Sequence, residues 1–232
     1  MKLKSFGCSF IYGTELADAG LNITIAAGSY LTWPALIAKQ FGYKYFSYAR
    51  PGSGNLQIME RVLNQAVDSE PTLYVIGWTW IDRFDYINPA GSKWPGTPWA
   101  TITPSDDTEL TKNYYQNLHS EYRDKLATLM AIKLTIDILK EKNHPFIMTY
   151  MDDLIFDTQW HTTPAVIELQ NYIKPHMTQF DNMSFLDWSQ LHNFPIGVGQ
   201  HPLEEAHEAA ARYMMLTLNT DLNNASGGLN SL

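Results

Sequence analysis

The 232-residue chain holds 45% hydrophobic and 13% aromatic residues against 17% charged ones, an apolar share that excludes a disordered chain and suffices for one buried sheet. Sixteen Lys and Arg face 24 Asp and Glu, a net charge of −8 with no basic run, which argues against nucleic-acid and anionic-membrane partners. Cys8 is the single cysteine, so no intramolecular disulfide exists, and no apolar run approaches the ~20 residues of a membrane span.

Gly7, Ser9 and Gly13 interrupt any leader-like apolar stretch at the start, and the expectation is a cytoplasmic protein that needs no cofactor and no metal. Lys2 to Ser9 reads as a short strand running into small, turn-compatible residues. A helix follows from Tyr30 to Gln40, with Leu31, Trp33, Leu36, Ile37 and Phe41 on one face and Pro34 in its first turn. Tyr43 to Ser47 is a second strand, Pro51-Gly52-Ser53-Gly54-Asn55 a loop, Leu56 to Val67 a helix and Leu73 to Ile76 a third strand. This order of strand, helix and strand implies parallel pairing through right-handed crossovers.

From about Asp85 to Thr111 the prolines, glycines and aromatics predict an irregular insertion in the single domain 1–220. One long helix is expected from Asn113 to Lys142, then a fourth strand from Pro145 to Tyr150, a helix from Thr163 to Tyr172 and a fifth strand from Met183 to Leu186. A helix from Leu203 to Leu218 closes the chain before a loose tail, 221–232 in its last part, rich in Asn, Ser and Gly. The fold class is α/β, a three-layer α/β/α sandwich around a mostly parallel five-stranded sheet.

Ligands of such sheets meet the carboxyl ends of the strands. The residues there are Gly7-Cys8-Ser9-Phe10, the loop at Gly52, Gly77-Trp78-Thr79, Met151-Asp152-Asp153 and the region leading to His201. Acyl transfer needs a serine on a tight turn, an imidazole within reach and donors for an oxyanion. Ser9, His201 and Gly52 with Thr79 supply those types. Cys8 reads as a small buried strand residue, and no spacing among the histidines reproduces a metal-ligand pattern.

Taken together, GCSF near the start, Trp33-Pro34, PGSGN after strand two, IGWT after strand three and HPLEEAH near the end resemble the ordered blocks of SGNH (GDSL-like) hydrolases. The resemblance implies a flavodoxin-like topology, a nucleophile at Ser9 that also lends its backbone N–H, a further oxyanion donor at Gly52, one at position 79, and a base at His201. It departs in three places. Cys8 stands for the usual aspartate, Thr79 stands for the usual asparagine, and Val198 occupies the position of the acid, three residues before the histidine.

Asp187 is the first candidate to replace that acid, followed by Asp152 and Asp153, on the strength of their places at strand ends. Asn55 and Trp78 join Gly52 and Thr79 as substrate-binding candidates, although Asn55 also suits a helix start and Trp78 a core position. The resemblance implies an esterase or O-deacetylase acting on small acyl esters or acylated sugars. The residues themselves offer Trp94 and Trp99 of the insertion as a wall for a sugar ring, by their aromatic faces, and Arg83 as an anchor for a substrate anion. The competing reading is a catalytically silent module of the same fold that serves binding or assembly, including oligomer or virion assembly, since GCSF-type blocks occur in phage-like genomes.

Overall fold

The computed structural model describes residues 1–19, 28–67, 70–89 and 97–227, the last eleven of these as helical backbone only. In chain order the elements are β1 (Lys2–Phe6), α1 (Ser9–Tyr12), α2 (Trp33–Gln40), β2 (Lys44–Ser47), α3 (Asn55–Gln65) and β3 (Thr72–Trp78). The hairpin strands β4 (Phe84–Ile87) and β5 (Trp99–Ile102) follow, then α4 (Glu109–Asn117), α5 (Glu121–Glu141), β6 (Phe146–Tyr150), α6 (Pro164–Ile173), α7 (Phe185–Leu191) and α8 (Glu204–Gly227).

The central sheet runs β2-β1-β3-β6 and is parallel throughout, with Lys2 opposite both Lys44 and Thr72, and Tyr74 opposite Phe146. Every residue of β3 is buried, as expected of a central parallel strand covered on both faces. Its side chains alternate between two cores. Leu73 and Val75 join Leu3 and Ile147 against α2, α7 and α8, whereas Tyr74, Ile76 and Trp78 join Phe6 and Met148 against α3, α5 and α6. The three-layer α/β/α arrangement is therefore present, with its strand carboxyl ends gathered on one edge.

Four expectations need correction. The sheet has four strands, not five: Met183 makes only an antiparallel bridge to Phe180, and Phe185 opens α7 behind a Ser184 side chain that accepts from Asp187 N. In the fifth position the sheet keeps one parallel bridge, Met148 to Met177. The long helix is two, because Ser120 caps α5 by accepting from Arg123 N and so ends α4 before it. The insertion contains an ordered antiparallel hairpin, and α8 continues past Leu218 to Gly227. Among the described residues no helix is long and apolar enough to cross a membrane.

Candidate active site

The site is assembled where β1 leaves the sheet. The chain turns at Gly7, where a Cβ would lie 2.6 Å from Ile11 Cγ1 and 3.0 Å from the Gly77 carbonyl oxygen. A Cβ on Gly77 would meet the same Ile11 Cγ1 at 2.6 Å, so both glycines are required for α1 to seat against the ends of β1 and β3. Cys8 is buried and occupies the N-cap, and Ser9 opens α1 with 8% of its surface exposed. Ser9 Oγ has no hydrogen-bond partner among the described residues.

His201 leaves a closed loop. Ile196 bridges Pro202, the Gly197 N–H donates to the His201 carbonyl at 2.8 Å, and the Leu203 N–H donates to that of Pro195 at 3.0 Å. The imidazole lies against Phe10, the neighbour of Ser9, with ring centroids 5.0 Å apart. Trp80 meets the same Phe10 ring edge-on at 5.6 Å, and the Arg83 guanidinium covers Trp80 at 4.8 Å.

The carboxylate at His201 Nδ1 belongs to Glu15, at 2.7 Å, and not to Asp187, Asp152 or Asp153. Glu15 sits at φ 72°, a left-handed backbone rare for a residue with a side chain and often retained at functional positions. Both its oxygens also accept from Gly199 N–H, at 2.9 and 3.0 Å. A Cβ on Gly197 would come within 2.7 Å of the Glu15 carboxylate, and one on Gly199 within 2.8 Å. The loop thus wraps the acid closely. The Gly199 N–H, and after it His201, hold the Glu15 carboxyl below the usual carboxylate range. An acceptor at Nδ1 fixes the proton there, so the Nε2 lone pair is free to take another.

The remaining acids are occupied elsewhere. Asp187 lies in the first turn of α7, where Ser184 Oγ donates to its Oδ2 at 2.5 Å. Asp152 accepts from Ile81 N and Leu154 N at 2.9 and 3.0 Å and so shapes the turn after β6, while Asp153 begins the short 3-10 segment Asp153–Ile155. Val198, at the family's usual acid position, is 99% exposed.

Gly52 has φ 78°, a left-handed turn that glycine adopts without strain. Its loop is tied to the Gly7–Ser9 turn twice: the Arg50 N–H donates to the Gly7 carbonyl at 3.0 Å, and buried Arg61 donates from Nη2 to the Gly7 carbonyl and to Ser53 Oγ, at 3.4 and 3.0 Å. Burial lowers the Arg61 guanidinium to about 10. The backbone N–H groups of Ser9 and Gly52 have no partner among the described residues.

Asn55 is a clamp. Its Oδ1 accepts from Thr79 N at 2.9 Å and its Nδ2 donates to the Thr79 carbonyl and to Thr128 Oγ1, both at 3.1 Å. Thr79 is wholly buried, with an Oγ1 that finds no partner among the described residues. Trp78 is equally buried within the core that faces α3 and α5, which leaves it no surface toward a substrate. Trp99 opens β5, and Trp94 lies outside the described residues.

Sequence reasoning missed Glu15, Arg61 and the clamp of Asn55. No spacing marks Glu15, which lies 186 positions from the histidine it meets. Arg61 was legible only as a charged residue on an otherwise apolar helix face, since α3 buries it together with Ile58 and Val62.

Comparison with family models and with curated proteins finds no match to this sequence. Solved structures do match. A member of the lipolytic G-D-S-L family from Veillonella parvula is 14% identical with a TM-score of 0.50, over 95% of this chain and 98% of that one. The psychrotrophic esterase EstA from a Pseudoalteromonas species is 11% identical at 0.50, covering 96% and 98%. The acetyl xylan esterase Est2A from the rumen bacterium Butyrivibrio proteoclasticus is 15% identical at 0.52, with 96% of this chain matching 64% of that one. The fold is that of the SGNH (G-D-S-L) hydrolases.

Proposed function

We propose that the chain is a serine esterase or O-deacetylase whose triad is Ser9, His201 and Glu15. The contact between Glu15 and His201 Nδ1 carries this reading, because it completes an acid and base pair beside the nucleophile turn after the usual acid has been lost. Ser9 Oγ attacks the ester carbonyl while His201 Nε2 takes its proton, and Glu15 stabilises the imidazolium that results. The N–H groups of Ser9 and Gly52 receive the oxyanion, while Thr79, wholly buried, lies out of a substrate's reach. His201 then protonates the departing alcohol. Water, deprotonated by the same imidazole, attacks the acyl-serine, releases the carboxylic acid and restores Ser9.

The substrate class is small O-acyl esters. Two structural neighbours, an esterase and an acetyl xylan esterase, support that range. The test is labelling of the purified protein with a fluorophosphonate probe, alongside Ser9→Ala and His201→Ala. Labelling of the wild type that vanishes in both variants is the expected outcome. A correctly folded wild type that takes no label overturns the reading and leaves a non-catalytic binding module.

A further inference from the structure

Helix α5 carries apolar side chains on two faces. One belongs to the core: Leu129, Ile132, Ile136 and Leu139 are wholly buried in the cluster that holds Phe6, Ile76 and Met148. The other looks outward. Leu126, Ala127, Met130 and Leu134 of α5, with Leu56 and Met59 of α3, line an open groove of about 600 Å³, in which Met130 is 56% and Leu134 43% exposed. A contiguous exposed apolar surface rimmed by charges marks an interaction site on a chain that already has its core.

The charges and the order of residues along this face fit one occupant, a second copy of the chain. Arg123 and Asp137 close the groove at its two ends, about 21 Å apart along the helix. A second α5 laid parallel on the first would set like charges against each other. Laid antiparallel, it sets Arg123 against Asp137 at both ends. The apolar residues obey the same symmetry. With a two-fold axis at Met130, Leu126 meets Leu134 of the second copy, and small Ala127 leaves room for the aliphatic stem of Lys133. All of these residues lie within about 60° of the Met130 direction around the helix, so one partner helix reaches them together. Within the chain Arg123 pairs with Asp124 at 2.5 Å and Asp137 with Lys133 at 2.6 Å, yet both side chains stay partly exposed, so contacts between copies add to these pairs.

We propose that this groove is a homodimer interface, in which two copies pack α5 antiparallel on α5 about a two-fold axis at Met130, with Leu56 and Met59 of α3 flanking the seam. A patch complementary to itself closes into a dimer and builds no filament. Burial of Met130 and Leu134 drives the association, and the charges at the two ends set its direction. The inference stands apart from the hydrolase reading of Ser9, since none of these residues belongs to that site.

The test is equilibrium sedimentation of the full chain, joined to cross-linking that reads the register. Wild-type protein should sediment as a dimer at about 100 µM. Leu134→Glu, at an exposed position and checked for its fold by circular dichroism, should raise the dimer dissociation constant at least about tenfold. With copper phenanthroline as oxidant, Met130→Cys copies should join through a disulfide, because position 130 meets itself on the axis, whereas Leu191→Cys copies, exposed on α7, should not. Native Cys8 is buried and takes no part. A wild type that stays monomeric at that concentration overturns the proposal and leaves the groove to a partner of another sequence. A dimer whose strength Leu134→Glu leaves unchanged, or whose Met130→Cys copies do not cross-link, overturns it as well.

Discussion

Glu15 and His201 form the pair on which the proposed chemistry turns, and their geometry sets a graded expectation. Gln at position 15 keeps the shape but presents an amide where the imidazole needs an anion, so fluorophosphonate labelling of Glu15→Gln should slow by about 10²–10⁴-fold. The effect has a defined pH window. The Glu15 carboxyl is held below its ordinary value of 4.5, so its charge, and the help it gives, persist above that value and disappear as pH falls through the lowered one. The ratio of wild-type to Glu15→Gln labelling rates should therefore narrow as pH falls below about 5 and the Glu15 charge is lost. A ratio that stays unchanged as pH falls through that lowered value would assign the orienting role to another group. Ser9, Gly52 and His201 are readable in sequence as candidates because each stands in a short block of the resembled family. Glu15 is not, since only the folded chain brings it to the imidazole, and its left-handed backbone leaves no periodic trace.

At the level of elements, Asp85 holds the hairpin onto α3, whose N-cap residue, Gly54, has no side chain to cap the helix itself. Burial pushes the Asp85 carboxyl upward, against the pull of its hydrogen bonds and of Arg61. Asp85→Ala removes the acceptor while the Gly54 and Gln57 N–H groups stay buried, and a loss of about 2–4 kcal/mol in urea unfolding is expected. A change under about 1 kcal/mol would mean that those donors find water instead. The hairpin itself was hidden in sequence by the prolines and glycines around it, which read as irregular chain. The false fifth strand arose in the opposite way: Met183 to Leu186 is a short apolar run, and such runs fit either a strand or a buried helix turn. The aromatic packing of Phe180, Phe185 and Trp188 decides for the helix. Periodicity likewise carried α4 into α5, although Ser120 is a capping residue in plain view.

Across the whole molecule, stability should depend on pH through His207. Its ring is fully buried against Phe185 and accepts from Trp33 N at 3.1 Å, so it closes the start of α2 from the far end of the chain. Burial pushes this imidazole down to about 3, against 6.5 in the unfolded chain. The folded state therefore resists a proton that the unfolded state accepts: stability is complete above about pH 6.5 and falls as pH drops toward 3, on the order of 1 kcal/mol per unit. Thermal melts from pH 7 to 4 should show this slope, and it should flatten in His207→Gln. An equal slope in both proteins would move the origin to the carboxylates. The architecture was the most legible level of all. The apolar run Leu73 to Ile76 reads as a strand, and the alternation of strands with helices announced parallel order.

The exposure of Val198 decides where an acid can serve the imidazole. The position that carries the acid in the resembled family points into solvent at 99% exposure, while the seat of Glu15 is built from the backbone of the same short loop. On this loop a carboxylate at 198 would stand in water, and the one at 15 would still hold Nδ1 of His201. Ser9 and Glu15 share one stretch of seven residues, so two of the three proposed triad groups travel together with the turn that follows β1.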